Sequence, residues 1–267
     1  MRDPYVHFDM SYFTISHHLK VLPQPDHLTT NRRIPVEPFY RTFYLPPADR
    51  EVLDEFATLP LDPYTGARQR HRRFSQYRIH SVLDPGGQDR WELDLLPHRP
   101  FVQPKSVNTL VGGVSRELEP LRIDPSPQID AAAREIGLAR DHDWQINVHQ
   151  CRVVARPGRT AVSVPEGPHR DGHEYAMLAV FARHNIAGGE SQLMPLRGGD
   201  PFFRVTLQPN QAIAFDDTRM WHTATDLAAL SDHEGYRDLW IVVFNRWDRR
   251  RYGPEHEARA AAAADTA

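Results

Sequence analysis

The sequence predicts a mainly β protein with flanking helices, its second half forming an antiparallel sandwich or barrel. Two observations carry that reading. From about residue 144 onward, short apolar or β-branched runs alternate with turn residues at close spacing, the pattern of an antiparallel sandwich or barrel. Proline is also high, 23 of 267 residues. Because proline fixes φ and removes a backbone donor, long helices are disfavoured. No internal repeat stands out, and a single domain over 1–267 is expected. Residues 1–140 are its flanking segment of short helices and strands, 144–247 the core, and 254–267 a flexible tail.

The elements follow in order. Pro46-Pro47-Ala48-Asp49 opens a short helix over residues 50–59 that Pro60 ends, with Val52, Leu53 and Phe56 as its buried side. Residues 69–83 space Phe74, Tyr77 and Ile79 and stop at Asp84-Pro85-Gly86-Gly87, a strand running into a turn. The alanine-rich stretch 129–139 is a second helix, closed near Gly137. Residues 146–155 form a strand that ends at Arg156-Pro157-Gly158, and Tyr175, Met177, Ala179 and Phe181 share one face of the next. Gly188-Gly189 reads as a hairpin turn before a strand at 191–194. Phe203, Val205 and Leu207 alternate with Arg204 and Thr206, and Pro209-Asn210 turns the chain into 212–215. Residues 239–244 are almost entirely apolar, as in a strand covered on both faces.

Composition narrows the function classes. Hydrophobic residues at 40% and charged residues at 25% are globular values, which exclude a disordered chain or a fibre. The net charge of −3 supplies no electrostatic footprint for nucleic acid or an anionic membrane. Only Lys20 and Lys105 are lysines, so the basic side is almost all arginine, which reads as codon bias before it reads as mechanism. The single Cys151 forbids an internal disulfide and a Cys-based zinc cluster, and on a strand it reads as a small buried hydrophobe. No apolar run reaches the roughly 18 residues of a spanning helix, and the first residues hold no apolar signal core. A cytoplasmic protein with a small-molecule partner is expected, and a homo-oligomer stays open.

The segment that carries chemistry is Pro165-Glu166-Gly167-Pro168-His169-Arg170-Asp171-Gly172. In an extended chain residues i and i+2 point to the same side, so His169 and Asp171 can reach one metal ion. Two histidines and one carboxylate on one face leave coordination positions open, as non-haem Fe(II) requires to bind a co-substrate and O2. His222, 51 residues beyond Asp171, is the candidate third ligand, with room between for strands that return the chain to the same mouth. With 15 histidines about one His-x-Asp pair is expected by chance, and His7-Phe8-Asp9 is a second pair. That pair has no histidine some 50 residues on and no strand-rich region around it, which makes it the decoy. Arg237, 15 residues past His222 where the last strand begins, sets the first pair apart, since a guanidinium there can grip a carboxylate bidentately.

His169-x-Asp171, Gly188-Gly189-Glu190-Ser191, His222-x-x-Thr225 and Arg237-Asp238 together resemble the bacterial Fe(II)/2-oxoglutarate dioxygenases that include the L-isoleucine 4-hydroxylases. Arg70-x-Arg72-x-Phe74-Ser75-x-Tyr77 and His149-Gln150-x-Arg152 are similar to two upstream blocks of that family, so the resemblance covers roughly residues 65–245. It implies a double-stranded β-helix, the cupin-like jelly-roll, with Fe(II) on His169, Asp171 and His222. It also implies 2-oxoglutarate with its far carboxylate on Arg237, and conversion of 2-oxoglutarate and O2 to succinate and CO2 with oxidation of an unactivated C–H bond. Many such enzymes carry Ser or Thr two residues after the arginine, where this chain has Leu239, so Thr223 or Thr225 is the candidate for that hydroxyl. Arg72, Tyr77, His149, Gln150 and Arg152 are the candidate substrate contacts. The expected activity is hydroxylation of a free L-amino acid or a close derivative. Desaturation or ring closure of an unusual amino acid in natural-product biosynthesis shares the same oxidising step and stays open. Halogenation is disfavoured because Asp171 fills the position a halide needs. A non-oxygenase jelly-roll metal protein has no use for Arg237.

Overall fold

In a computed structural model, residues 39–65 and 68–262 are described, and they belong to one compact unit. Strand β12 (Gly235–Arg246) is its centre. It pairs antiparallel along its length with β4 (Trp144–Ala155) and β5 (Tyr175–His184), so both edges are satisfied and both faces are covered. That accounts for its continuous apolar run. Beyond β4 the sheet continues through β2 (Arg70–Leu83) and β3 (Asp89–Leu95). Beyond β5 it continues through β9 (Gln211–Asp216) and β1 (Tyr40–Tyr44), giving seven strands in the order β1-β9-β5-β12-β4-β2-β3. A three-stranded sheet, β10 (Trp221–Ala224), β7 (Ser191–Met194) and β8 (Phe203–Val205), and a ribbon of β11 (Leu227–Ala229) with β6 (Ile186–Gly188) complete the curled antiparallel core. The jelly-roll expectation is met.

Residue parity divides the large sheet. Trp144, Ile146 and Val148 of β4, Met177, Ala179 and Phe181 of β5, and Trp240, Val242 and Phe244 of β12 share one cluster with helix residues Val52, Phe56, Ile129 and Ala133. The opposite parity, Cys151, Val153, Val180, Leu239 and Val243, packs with Leu193, Leu207, Met220 and Leu227 from the smaller strands. Each fully buried apolar side chain of this size contributes about 1.5–3 kcal/mol. The interior between the sheets is therefore the face built by odd residues of β4 and β12 and even residues of β5.

Helix α1 (Arg50–Glu55) runs into a 3-10 turn (Phe56–Thr58), and it buries Val52 and Phe56 while Leu53 stays 37% exposed, contrary to expectation. Helix α2 (Ser126–Ile136) starts three residues earlier than predicted, because Pro127 suits a first helical turn rather than breaking it. Gly137 closes it with φ +73°. Gly188-Gly189 is not a hairpin: β6 pairs with β11 and β7 with β10, so the glycines bend one strand between two sheets. The expected tail is a helix over part of its length. Glu257 of α3 (Pro254–Ala262) binds Arg99 through two bonds of 2.5 and 2.8 Å, and Ala260 is buried. Among the described residues no helix is long and apolar enough to cross a membrane. The decoy pair at His7 and Asp9 lies outside the described residues.

Candidate metal and co-substrate site

The loop from β4 to β5 brings His169 against β10, where His169 and His222 exchange backbone hydrogen bonds of 3.0 and 2.9 Å as an isolated β-bridge. The bridge sets the two imidazoles 4.3 Å apart, and one ligand atom from each of His169, Asp171 and His222 lies within 4.8 Å of the others. Asp171 Oδ1 stands 3.6 Å from His169 Nε2, and Oδ2 stands 3.5 Å from His222 Nε2. These separations are too long for hydrogen bonds and suit donors converging on a shared ion. His169 Nδ1 faces the Gly167 carbonyl at 3.0 Å, which fixes the tautomer that leaves Nε2 as the donor.

Asp217, which sequence reasoning left without a role, holds the arrangement from behind. It is fully buried, accepts the backbone N–H groups of Asp171 (2.9 Å) and His173 (2.8 Å), and places Oδ1 3.7 Å from His222 Nδ1. Burial, with Asp171 nearby, pushes Asp217 up to about 7 against those N–H bonds. Burial and the charge of His169 push His222 down to about 3. Burial opposes protonation of His169 too, but the nearby negative charge of Asp171, helped by Glu166, carries it up to about 9. Asp171 stays below the usual carboxylate range despite its burial because the histidines surround it. Asp171 Oδ2 and His222 Nδ1 are buried without a hydrogen-bond partner. Two imidazoles and a carboxylate with unmet buried atoms are a donor set that fits Fe(II).

The triad opens into a cleft of about 1100 Å³. Arg237 enters it from β12, 4% exposed, with Nη1 donating to the Gly189 carbonyl at 2.9 Å and Nε unpartnered. Asp238 pairs instead with Arg152 and Glu234 with Arg156, so neither neutralises Arg237. Burial, with Arg183 and Arg70 nearby, lowers Arg237 to about 10, still a cation at neutral pH. A buried guanidinium with a free edge and no carboxylate fits the far end of 2-oxoglutarate.

The other predicted contacts divide by strand parity. Arg72, His149 and Thr223 line the cleft. Tyr77 packs in the opposite cluster below the helices, since residues 73, 75, 77 and 79 of β2 face away from the cleft. Gln150 and Arg152 share that parity on β4. Gln150 is fully buried, and Arg152 binds Asp238 bidentately at 2.6 and 2.7 Å over the Tyr236 ring. Thr225 lies outside the cleft lining and its hydroxyl accepts the Glu190 N–H at 2.9 Å, whereas Thr223 lines the cleft together with Ser191. Arg116, another buried cleft residue, carried no signal in the sequence because it sits in irregular chain between β3 and α2.

A jelly-roll with two histidines and an aspartate converging at its mouth, and a buried arginine in the same cleft, defines a non-haem iron oxygenase. The family model for 2OG-Fe dioxygenases matches residues 53–243, and the chain belongs to that family. Fe(II), 2-oxoglutarate and O2 are therefore its cofactor and co-substrates, and the enzyme is a 2-oxoglutarate-dependent iron dioxygenase. Among solved structures, a bsmA homologue from Methylobium petroleophilum PM1 is similar at 26% identity and TM-score 0.60, over 73% of this chain and 79% of that one. IDO from Bacillus thuringiensis is similar at 20% identity and TM-score 0.56, over 74% and 82% of the two chains. A sequence comparison with curated proteins finds none that matches.

Proposed function

We propose that the protein hydroxylates an unactivated C–H bond of a free L-amino acid or close derivative, converting 2-oxoglutarate and O2 to succinate and CO2. The observation that carries the reading is the cleft. It holds the triad, Arg237 and the cationic Arg72 in one continuous space, with charged groups at defined places among apolar walls, as small-molecule sites do. One oxygen atom of O2 goes to the substrate and the other to succinate. His169, Asp171 and His222 would hold the iron, which would supply the redox chemistry toward O2. The chain supplies position. Arg237 holds the far carboxylate of 2-oxoglutarate, with Thr223 and Ser191 as hydroxyls in the same cleft. Leu178, Val180, Leu207, Leu239 and Ile241 give the cleft apolar walls that keep water from the oxidising centre.

Succinate formation by anaerobically loaded Fe(II) enzyme, measured across the twenty proteinogenic L-amino acids with mass analysis of products, tests the proposal. Stimulation by one amino acid with a gain of one oxygen is the expected outcome. Loss of two hydrogens would replace hydroxylation by desaturation or cyclisation, and stimulation by none would remove the free amino acid as substrate. Asp171→Ala abolishes succinate formation. Arg237→Ala raises KM for 2-oxoglutarate by about 10–100-fold, the loss of a charge-assisted bond pair, with a much smaller change for the primary substrate.

A further inference from the structure

The cleft contains a second charged group that the co-substrate does not use. The charged neighbours of Arg237 are Arg183 and Arg70, whereas those of Arg116 are Arg72, Asp62 and Glu166. Arg116 is 3% exposed, lies over the Phe101 ring at 4.3 Å and donates through Nη2 to Gln103 Oε1 at 2.7 Å, which presents its remaining edge in a fixed direction. Arg72 is 5% exposed and its Nη2 forms an ion pair with Asp62 Oδ2 at 2.8 Å, while its Nε and the Nε of Arg116 make no hydrogen bond. Buried guanidinium N–H groups without acceptors are costly, and a single carboxylate satisfies several at once. His149 is stacked on Phe74 and edge-on to Phe101 beside this pair, and burial together with Arg72 and Arg116 keeps it neutral, so it adds no third positive charge. On the negative side, Glu166 is buried to all but 16% of its side chain, and its nearest partner is His169 Nε2 at 3.8 Å, beyond hydrogen-bond reach. Both guanidiniums and this carboxylate line the same space as the triad.

We propose that Arg116 and Arg72 grip the α-carboxylate of the primary substrate and Glu166 takes its ammonium group, so that the cleft selects a zwitterion. The inference rests on the free-amino-acid reading above and assigns its recognition to named residues. Separated opposite charges with unmet hydrogen-bonding atoms match a ligand that carries both charges on one carbon. Neither an uncharged substrate nor a simple fatty acid would satisfy both. The aromatic contact and the Gln103 bond make Arg116 rigid, and rigid donors lose less entropy on binding.

Titration calorimetry on enzyme holding Mn(II) and 2-oxoglutarate, without O2, tests this with the twenty L-amino acids, and then with the amide and the deaminated acid of the tightest binder. The wild type is expected to bind both analogues about 10–100-fold more weakly than the amino acid. Arg116→Gln loses the preference for the acid over the amide, Arg116→Lys keeps part of it, and Glu166→Gln loses the preference for the amino acid over its deaminated form. A merely structural Arg116 would lower all affinities together and leave the ratio intact, which overturns the assignment. Wild-type binding of the amide as tightly as the acid overturns it without any variant. If the wild type binds no amino acid, the substrate reading fails and this one with it. If it binds one and the ratios do not move in the variants, only the present assignment fails.

Discussion

Asp217 receives the backbone N–H groups of Asp171 and His173 and faces Nδ1 of His222, so one buried carboxylate touches the surroundings of two metal ligands. An amide in its place presents one oxygen and one NH2, and the NH2 meets a backbone donor. Asp217→Asn is therefore expected to weaken divalent-metal affinity by about 10–100-fold, the usual effect of removing such a supporting partner. Competition against a metal chelator measures it, and affinity within twofold of wild type would reject the role. The candidate ligands stood out in the sequence because His169 and Asp171 are local in the chain, and Arg237 because it follows His222 by 15 residues where the last strand begins. Asp217 was not, since its partners are N–H groups at positions 171 and 173, which no side-chain pattern records. Tyr77, Gln150 and Arg152 were misassigned for a different reason. Their types suit a substrate pocket, but on β2 and β4 they have the parity of Ile79 and Val148, which face the helices.

The bend at Gly188-Gly189 joins β6 and β7 and controls Arg237 through the Gly189 carbonyl. Both glycines have positive φ, +80° and +71°, but an added Cβ meets different obstacles. At Gly188 it would stand 1.9 Å from the Asp226 carbonyl oxygen, a backbone atom that cannot swing aside as a side-chain tip can. At Gly189 it would stand 2.7 Å from Arg237 Nη1 and 2.8 Å from Leu227 Cδ2, the far ends of side chains that can move. Gly188→Ala is thus expected to lower the melting temperature by several degrees, with backbone strain alone costing about 1–3 kcal/mol. Gly189→Ala is expected to fold and to raise KM for 2-oxoglutarate by about tenfold as the guanidinium is displaced. An unchanged KM with a folded protein would show that the Gly189 contact does not position Arg237. Other elements differed in legibility for equally physical reasons. β12 could be read because burial on both faces leaves an apolar run over residues 239–244. β3 was missed although Trp91 is buried and Leu93 packs on the core, because Asp89, Arg90, Glu92 and Asp94 give this edge strand a charged surface that deters further pairing.

The candidate ligands come from a loop at 169–171, strand β10 and strand β12, so a bound metal and co-substrate would tie together parts of the core that are distant in sequence. The site concentrates unfavourable terms that ligands would relieve: buried Asp171 beside buried Asp217, the His169 and His222 rings 4.3 Å apart, and Arg237 with an unpartnered Nε. A divalent cation offsets the carboxylate repulsion, and a dicarboxylate supplies the acceptor Arg237 lacks, so both bind the folded chain selectively. Ligands with no affinity for the unfolded chain stabilise by RT ln(1 + [L]/Kd), about 2.7 kcal/mol at one hundred times Kd. For a domain of this size that corresponds to a rise of roughly 5–10 °C in melting temperature. Mn(II) in the absence of O2 is expected to give a rise of this order, and 2-oxoglutarate a further rise only when the metal is present. Asp171→Ala should lose the metal response, whereas Arg237→Ala should keep it and lose most of the 2-oxoglutarate increment. Scanning calorimetry on the three proteins separates these outcomes, and a full 2-oxoglutarate increment in Arg237→Ala would place the co-substrate's far carboxylate on another residue.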